Sequence, residues 1–389
     1  MKKLFLIIIV IIGVIEGGWI RQRSPVAVNF YSVYFPTDTL FGFIAGDNGK
    51  ILRTTNSGLE WREMITYTTE QLRCITFIND TGYACGSAGT ILKSTDRGIT
   101  WISLNSGVFQ TLFTITFPRN ATTGFVFGEE GVALKTTDGG STWEVLPGAI
   151  PSSIYDCFFF NDRVGYIVGA RGMILRTTDG GNSWMTLQSG VTQNLNSIWC
   201  LNEQVAYVCG DGGTVLKTTD GGRRWDNISL PTSENLYGIV IPTSADTGFL
   251  CGDRGIIGRC VNGRTWELTF PARETTLFAI HFPRNNRVGF VVGANGMILK
   301  TSDGGVDIKE ENISSLKNNF LLTSKRELKI NLEKYPAEIK VLDILGREII
   351  FLEKKNNSQK ITLKDLKKGV YFLKIKTNGE IINKKVCLF

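Results

Sequence analysis

Residues Gly128–Trp143 read GEEGVALKTTDGGSTW, and two close copies follow: GARGMILRTTDGGNSW at Gly169–Trp184 and GDGGTVLKTTDGGRRW at Gly210–Trp225. The first glycine of this unit recurs at Gly46, Gly86, Gly128, Gly169, Gly210, Gly252 and Gly293, in steps of 40, 42, 41, 41, 42 and 41 residues. A period of roughly 40–50 residues made of short strands and glycine turns is that of a β-propeller with one four-stranded blade per repeat. Seven copies predict an all-β chain with a seven-bladed β-propeller.

Each part of the unit has a physical reading. The Gly-x-x-Gly turn calls for residues free to take positive φ. The β-branched run after it fits a strand. Asp-Gly-Gly makes a tight turn whose aspartate accepts bonds from its own following amides. Trp then opens the next strand. In the second repeat the four strands are expected at Leu72–Phe77, Gly82–Cys85, Thr90–Thr95 and Trp101–Leu104. The segments Ser94-Thr-Asp96-Arg-Gly98-Ile-Thr100-Trp101 and Thr136-Thr-Asp138-Gly-Gly140-Ser-Thr142-Trp143 resemble the Asp-box of bacterial neuraminidase repeats. The pairs Asp96 and Trp101, Asp138 and Trp143, Asp179 and Trp184, and Asp220 and Trp225 are therefore given a structural role. The aspartate locks the turn and the indole packs over it.

The ends of the 389-residue chain differ from its middle. Lys2 and Lys3 precede the apolar run Leu4–Ile12, so residues 1–18 read as a signal peptide; an uncleaved anchor is the alternative. Residues 19–315 carry 24 Lys and Arg against 27 Asp and Glu. Residues 316–389 carry 17 against 8, and 15 of those cations are Lys. The net charge of +7 thus belongs to the tail and gives the propeller no nucleic-acid footprint. We divide the chain into a propeller over 19–305, a linker over 306–319 and a small β-sandwich over 320–389.

Three columns recur in phase. Two residues into each innermost strand stand Ser32, Cys74, Thr114, Asp156, Ser197, Gly238 and Ala279, short enough to meet at one axis. One residue into it stand Tyr31, Arg73, Phe113, Tyr155, Asn196, Tyr237 and Phe278, which either pack between blades or ring the channel mouth. Arg53, Lys93, Lys135, Arg176, Lys217, Arg259 and Lys300 share one place in every blade. They form a cationic ring, or each lays its stem along the blade and binds locally.

Signs of chemistry are sparse. The eight cysteines do not suggest a disulfide framework: Cys85, Cys209 and Cys251 share one strand position and read as small buried hydrophobes, with a bridge or two left open for an exported protein. His281, the single histidine, reads as a packed or partly exposed side chain, not a base, and no Cys/His spacing suggests zinc. A glycosidase needs two placed carboxylates, and Asp156 is the one acid in the axial column. No cofactor, metal site or catalytic residue is expected.

The repeat GxxGxILKTTDGGxTW over about residues 19–305 resembles the photosystem II stability/assembly factor propellers. That resemblance implies a binding propeller with an arginine-rich partner surface, for which Arg73, Arg171, Arg254 and Arg273 are the candidates on one loop face. The tail resembles the C-terminal sorting domain of type IX secretion substrates. It has strands expected at Glu327–Leu332, Ile339–Ile344, Lys360–Leu363, Val370–Lys376 and Ile381–Leu388, with turns at Gly346 and Gly369. An accessory sandwich with its own ligand is the alternative. Together these imply a monomeric, non-enzymatic protein exported through the periplasm to the outside or outer surface of the cell. There it binds a protein or glycan, having been handled by the type IX machinery. A carbohydrate-active enzyme that kept its Asp-boxes and a structural surface component are the competing classes.

The seventh copy breaks off. No Trp follows its Asp303-Gly304-Gly305, while Trp19 lies 42 residues before Trp61. The outer strand of blade seven is therefore expected from the N-terminal end, around residues 19–25, paired with the strand near residues 297–302.

Overall fold

The computed structural model describes residues 14–15, 18–36, 39–148, 150–283 and 285–305, and in the tail 320–322, 327–331, 337–342, 347–354, 358–362, 366, 369–377 and 380–388. Most of the proposed signal peptide, the linker over 306–319 and the Gly346 turn lie outside the described residues. The chain forms two units, Met1–Gly305 and Val306–Phe389.

The first unit is a seven-bladed propeller. Blade two shows the repeat in full, as Leu72–Ile78, Thr81–Gly86, Ile91–Ser94 and Ile102–Leu104 in antiparallel order. The innermost strands of neighbouring blades touch all the way round, from Phe30–Tyr34 to Leu277–His281 and back. Because the strands alternate in direction, each blade puts two turns on each face of the disc. The turns joining strands one to two and three to four lie on one face. The turn joining strands two to three and the link into the next blade lie on the other, beside the channel mouth.

The two glycines of Gly-x-x-Gly do different work. Gly86 is extended, at φ −172°. It is needed because a Cβ there would stand 1.8 Å from the Gln71 carbonyl oxygen. Gly89 is the one in the left-handed region, at φ +65°, and a Cβ there would meet the Val108 oxygen at 1.9 Å. The residue before the second glycine is left-handed too, including Arg171 at φ 58° and Arg254 at φ 53°. Non-glycine residues held there store roughly 1 kcal/mol or more of strain each.

Blade seven closes across the ends of the propeller. Trp19 pairs with Thr301, Ile20 with Lys300 and Arg21 with Leu299. The Trp19 side chain is 1% exposed and meets Phe282 edge-on at 6.1 Å. Val14–Ile15 pairs in turn with Ile20 and Trp19 along the outer edge of that strand.

The tail unit has two small antiparallel sheets. One joins Phe320–Leu322, Glu327–Asn331 and Ser358–Thr362; the other joins Glu348–Lys354, Ala337–Leu342, Gly369–Thr377 and Glu380–Leu388. Ile339 and Val341 are buried there. The strands at Phe320–Leu322 and Glu348–Lys354 go beyond those expected from the sequence.

Candidate functional site

On the face carrying the strand-three-to-four turns, the aspartates act on their own loops. The Asp138 carboxylate accepts from the Thr142 amide at 2.9 Å, the Thr142 hydroxyl at 2.7 Å and the Thr136 hydroxyl at 2.8 Å. Asp179 repeats this with Ser183 and Thr177, and Asp96 with Thr100 and Ser94. Asp220 accepts from the Arg224 amide and the Thr218 hydroxyl. The Thr142 and Ser183 donors hold Asp138 and Asp179 down at about 2. Desolvation pushes Asp96 up, but the Thr100 and Ser94 donors outweigh it and it also sits at about 2. A depressed carboxyl contributes stability above its ordinary value of 3.8, lost as pH falls through about 2. Trp101 and Trp225 are buried and Trp143 and Trp184 half-buried beside these turns.

The cation column ties one blade to the next. Lys93 donates to the Gly139 carbonyl at 2.7 Å, Lys135 to Gly180 at 3.1 Å, Lys217 to Gly263 at 3.1 Å and Lys300 to Ser57 at 2.7 Å. The Arg53 Nε donates to Arg97 at 2.9 Å. Each acceptor lies in the strand-three-to-four turn of the following blade. Arg176 instead lies over Tyr166, and Arg259 pairs with Glu267. These side chains bind locally and form no open cationic ring.

At the axis, Asp156 joins three blades. Its carboxylate accepts from the Cys157 amide at 2.8 Å, the Ser197 hydroxyl at 2.9 Å, the Ile198 amide at 3.0 Å and the Thr114 hydroxyl at 3.4 Å. Burial pushes it up to about 6 against those donors. A raised carboxyl contributes stability that is full below pH 3.8 and lost as pH rises through about 6. The stability difference between the native protein and Asp156→Asn is thus expected to change over that interval and level off above it. Urea midpoints across pH 3.5–8 would check this, and a constant difference would refute it. His281 is packed, as expected, with its ring facing the Phe35 carbonyl, and burial pushes it down to about 4. The seven cysteines of the propeller, from Cys74 to Cys260, are free thiols. Among the described residues no three His, Cys, Asp or Glu are grouped as a metal site, and no helix is long and apolar enough to cross a membrane.

The second-residue column lines the channel mouth. Phe278 lies 5.5 Å from Tyr237 and 5.0 Å from Tyr31; Phe113 lies 5.5 Å from Tyr155. The Arg73 guanidinium sits between the two groups, 4.3 Å over Tyr31 and 5.9 Å from Phe113. Asn196 completes the circuit, donating to Asp211 and to the Leu236 carbonyl. All seven are half-buried, so they pack on one another and still face the opening.

The four arginines read from the sequence share this face but do not make one patch. Arg73 lies within the ring. Arg171 is exposed at the tip of its turn in blade four. Arg254 and Arg273 line a cavity of about 550 Å³ with Thr232, Glu234, Phe270 and Glu274, and Arg254 lies 3.7 Å from Glu234. The acids of the face went unread. Asp47 accepts from the Tyr31 hydroxyl at 3.1 Å and Asp253 from the Tyr237 hydroxyl at 3.2 Å, each pair 16 residues apart. A Tyr followed in phase by an Asp in blades one and six was the available signal.

The Photosynthesis system II assembly factor YCF48 profile matches residues 14–108, 101–193 and 146–233, more than half the chain. The chain belongs to the YCF48 family. Residues 323–388 match the secretion system C-terminal sorting domain, which marks the protein for export to the cell surface or beyond. Among solved structures, YCF48 from Cyanidioschyzon merolae is similar at 16% identity and a TM-score of 0.63, over 73% of this chain and 98% of its own. YCF48 bound to D1 peptide is similar at 17% and 0.63, over 74% and 99%. The WD40 propeller domain of Doa1 is similar at 12% and 0.59, over 74% and 96%. No curated protein matches. At these identities the likeness to YCF48 and to Doa1 is one of fold.

Proposed function

We propose that this YCF48-family protein is an exported, non-catalytic binding propeller. A leader at its N-terminus takes it into the periplasm, and its C-terminal domain hands it to the type IX machinery. At the cell surface it acts as a monomer that docks a protein partner through the mouth face. The observation that carries this reading is the ring of half-buried aromatic faces around Arg73, open to the mouth. Aromatic side chains and arginine dominate the energetics of protein interfaces. That a YCF48 structure holds a D1 peptide supports a polypeptide ligand.

A glycan is the second reading, since sugar rings also stack on aromatic faces. For hydrolysis a pair of carboxylates is wanted, and Asp156 is already committed to four donors. The test uses the full-length exported protein, immobilised and exposed to the surface fraction of cells that secrete it. Capture of a protein that is lost in Tyr31→Ala and Arg73→Ala supports the proposal. Binding to a glycan panel without protein capture would replace it with the second reading, and release of sugar would replace it with an enzyme.

A further inference from the structure

The mouth carries more negative than positive charge. Four of the seven turns joining strands two and three open on an acid, at Asp47, Glu129, Asp211 and Asp253. The other three have Ser87, Ala170 and Ala294 in that place. Asp47, Asp211 and Asp253 each accept a hydrogen bond from a ring residue, namely Tyr31, Asn196 and Tyr237. Gln71, Asn194 and Thr276 donate to the same three acids from the links between blades. Neutral donors fix where these carboxylates stand without removing their charge. Asp47 and Asp253 are therefore pinned at the edge of a phenol ring, and Asp211 between two amide side chains.

The molecule itself shows what such a seat holds. Over Tyr31, beside Asp47, lies the guanidinium of Arg73. A cation over an aromatic face with a carboxylate alongside gains from the ring quadrupole and from the charge together. Blade six repeats the acid-bound phenol, with Tyr237 on Asp253, but there the next ring residue is Phe278 in place of an arginine. Among Tyr155, Asn196 and Tyr237 the ring itself holds no arginine. Arg171 stands exposed on the blade-four turn, and Arg254, next to Asp253 on the same turn, is paired with Glu234.

We propose that this half of the mouth, formed by Tyr155, Asn196 and Tyr237 with Asp211 and Asp253, receives a basic side chain, Lys or Arg, of the protein partner. The inference rests on the reading that this face docks a protein, and it names the chemistry of what is docked. The complementarity is one of charge at the edge and of flat aromatic surface at the floor. An acidic segment would meet the four turn carboxylates Asp47, Glu129, Asp211 and Asp253 against the single ring arginine, Arg73.

Oligoarginine, oligolysine and oligoglutamate peptides titrated into the full-length protein test it, with affinity read by calorimetry at two salt concentrations. The basic peptides are expected to bind and to weaken with salt, and oligoglutamate, which the Lys-rich tail can hold, to bind the native protein and the mouth variants alike. Asp211→Asn with Asp253→Asn should weaken oligoarginine about tenfold or more, while Asp162→Asn with Asp246→Asn, on the opposite face, should leave it unchanged. Tyr237→Leu, which keeps the charges and removes the ring, should weaken it as well and gives a second variant should the first be poorly folded. Oligoglutamate binding that is lost in Arg73→Ala, or equal binding of oligoarginine by the native protein and both mouth variants, would overturn the proposal. A surface partner still captured by both mouth variants but lost in Arg73→Ala would sink this inference while leaving the docking face intact.

Discussion

Trp19→Ala is expected to destabilise the propeller by about 3–5 kcal/mol, among the largest effects of any single substitution in the chain. The indole is 1% exposed within a core that includes Phe249, Leu277, Phe282 and Leu299. It also opens the strand that covers the Ile298–Thr301 edge of blade seven. Removing residues 19–25 should cost more, because the ladder to Leu299–Thr301 and the Gln22 amide bond to Ile298 go with the side chain. Urea unfolding of the full-length variants gives the measurement. Trp143→Ala is the comparison, since Trp143 is only half-buried and should cost less. A Trp19 variant as stable as the native protein would mean that the ring is closed in another way.

Truncation after residue 315 is expected to abolish appearance of the protein outside the cell. The matched sorting domain covers 323–388, and the propeller forms its own unit ending at Gly305. The shortened chain should therefore accumulate as a folded propeller in the periplasm. Fractionation and immunoblotting, with protease resistance as the measure of folding, would show it. Normal amounts of truncated protein in the medium would mean that the tail is an accessory domain and not an address.

The blades were legible because what makes them is local. An aspartate turn closes within four residues, from Asp138 to Thr142, and recurs with the period of the repeat. Closure by Trp19 was legible for the same reason, as one missing Trp and one spare one in phase. The partners of Lys93 or Lys300 were not, because a carbonyl in the next blade is brought within 2.7 Å by the packing of two sheets and not by spacing along the chain. The mouth was half legible. Its ring residues share a column, but the acids that set its charge lie on the next turn, and their pairing depends on how Tyr31 and Tyr237 point. The first glycine of each turn was given the wrong reason. Gly86 is demanded by the Gln71 carbonyl pressed against it, a contact between segments that no dihedral preference reveals. In the tail, the strand Glu348–Lys354 begins two residues after Gly346 in the sequence, where a turn signal hides its start.

The strand that begins at Trp19 and the strand that ends at Thr301 are made at opposite ends of the propeller's synthesis. Six blades can assemble from neighbouring sequence as it emerges, but the seventh has to wait for its last repeat. Contacts this distant along a chain form late, because loop closure costs entropy before it returns any contact energy. The propeller is therefore a latch whose hook is delivered first and whose catch is delivered last. Until both have been made, the ring stays open.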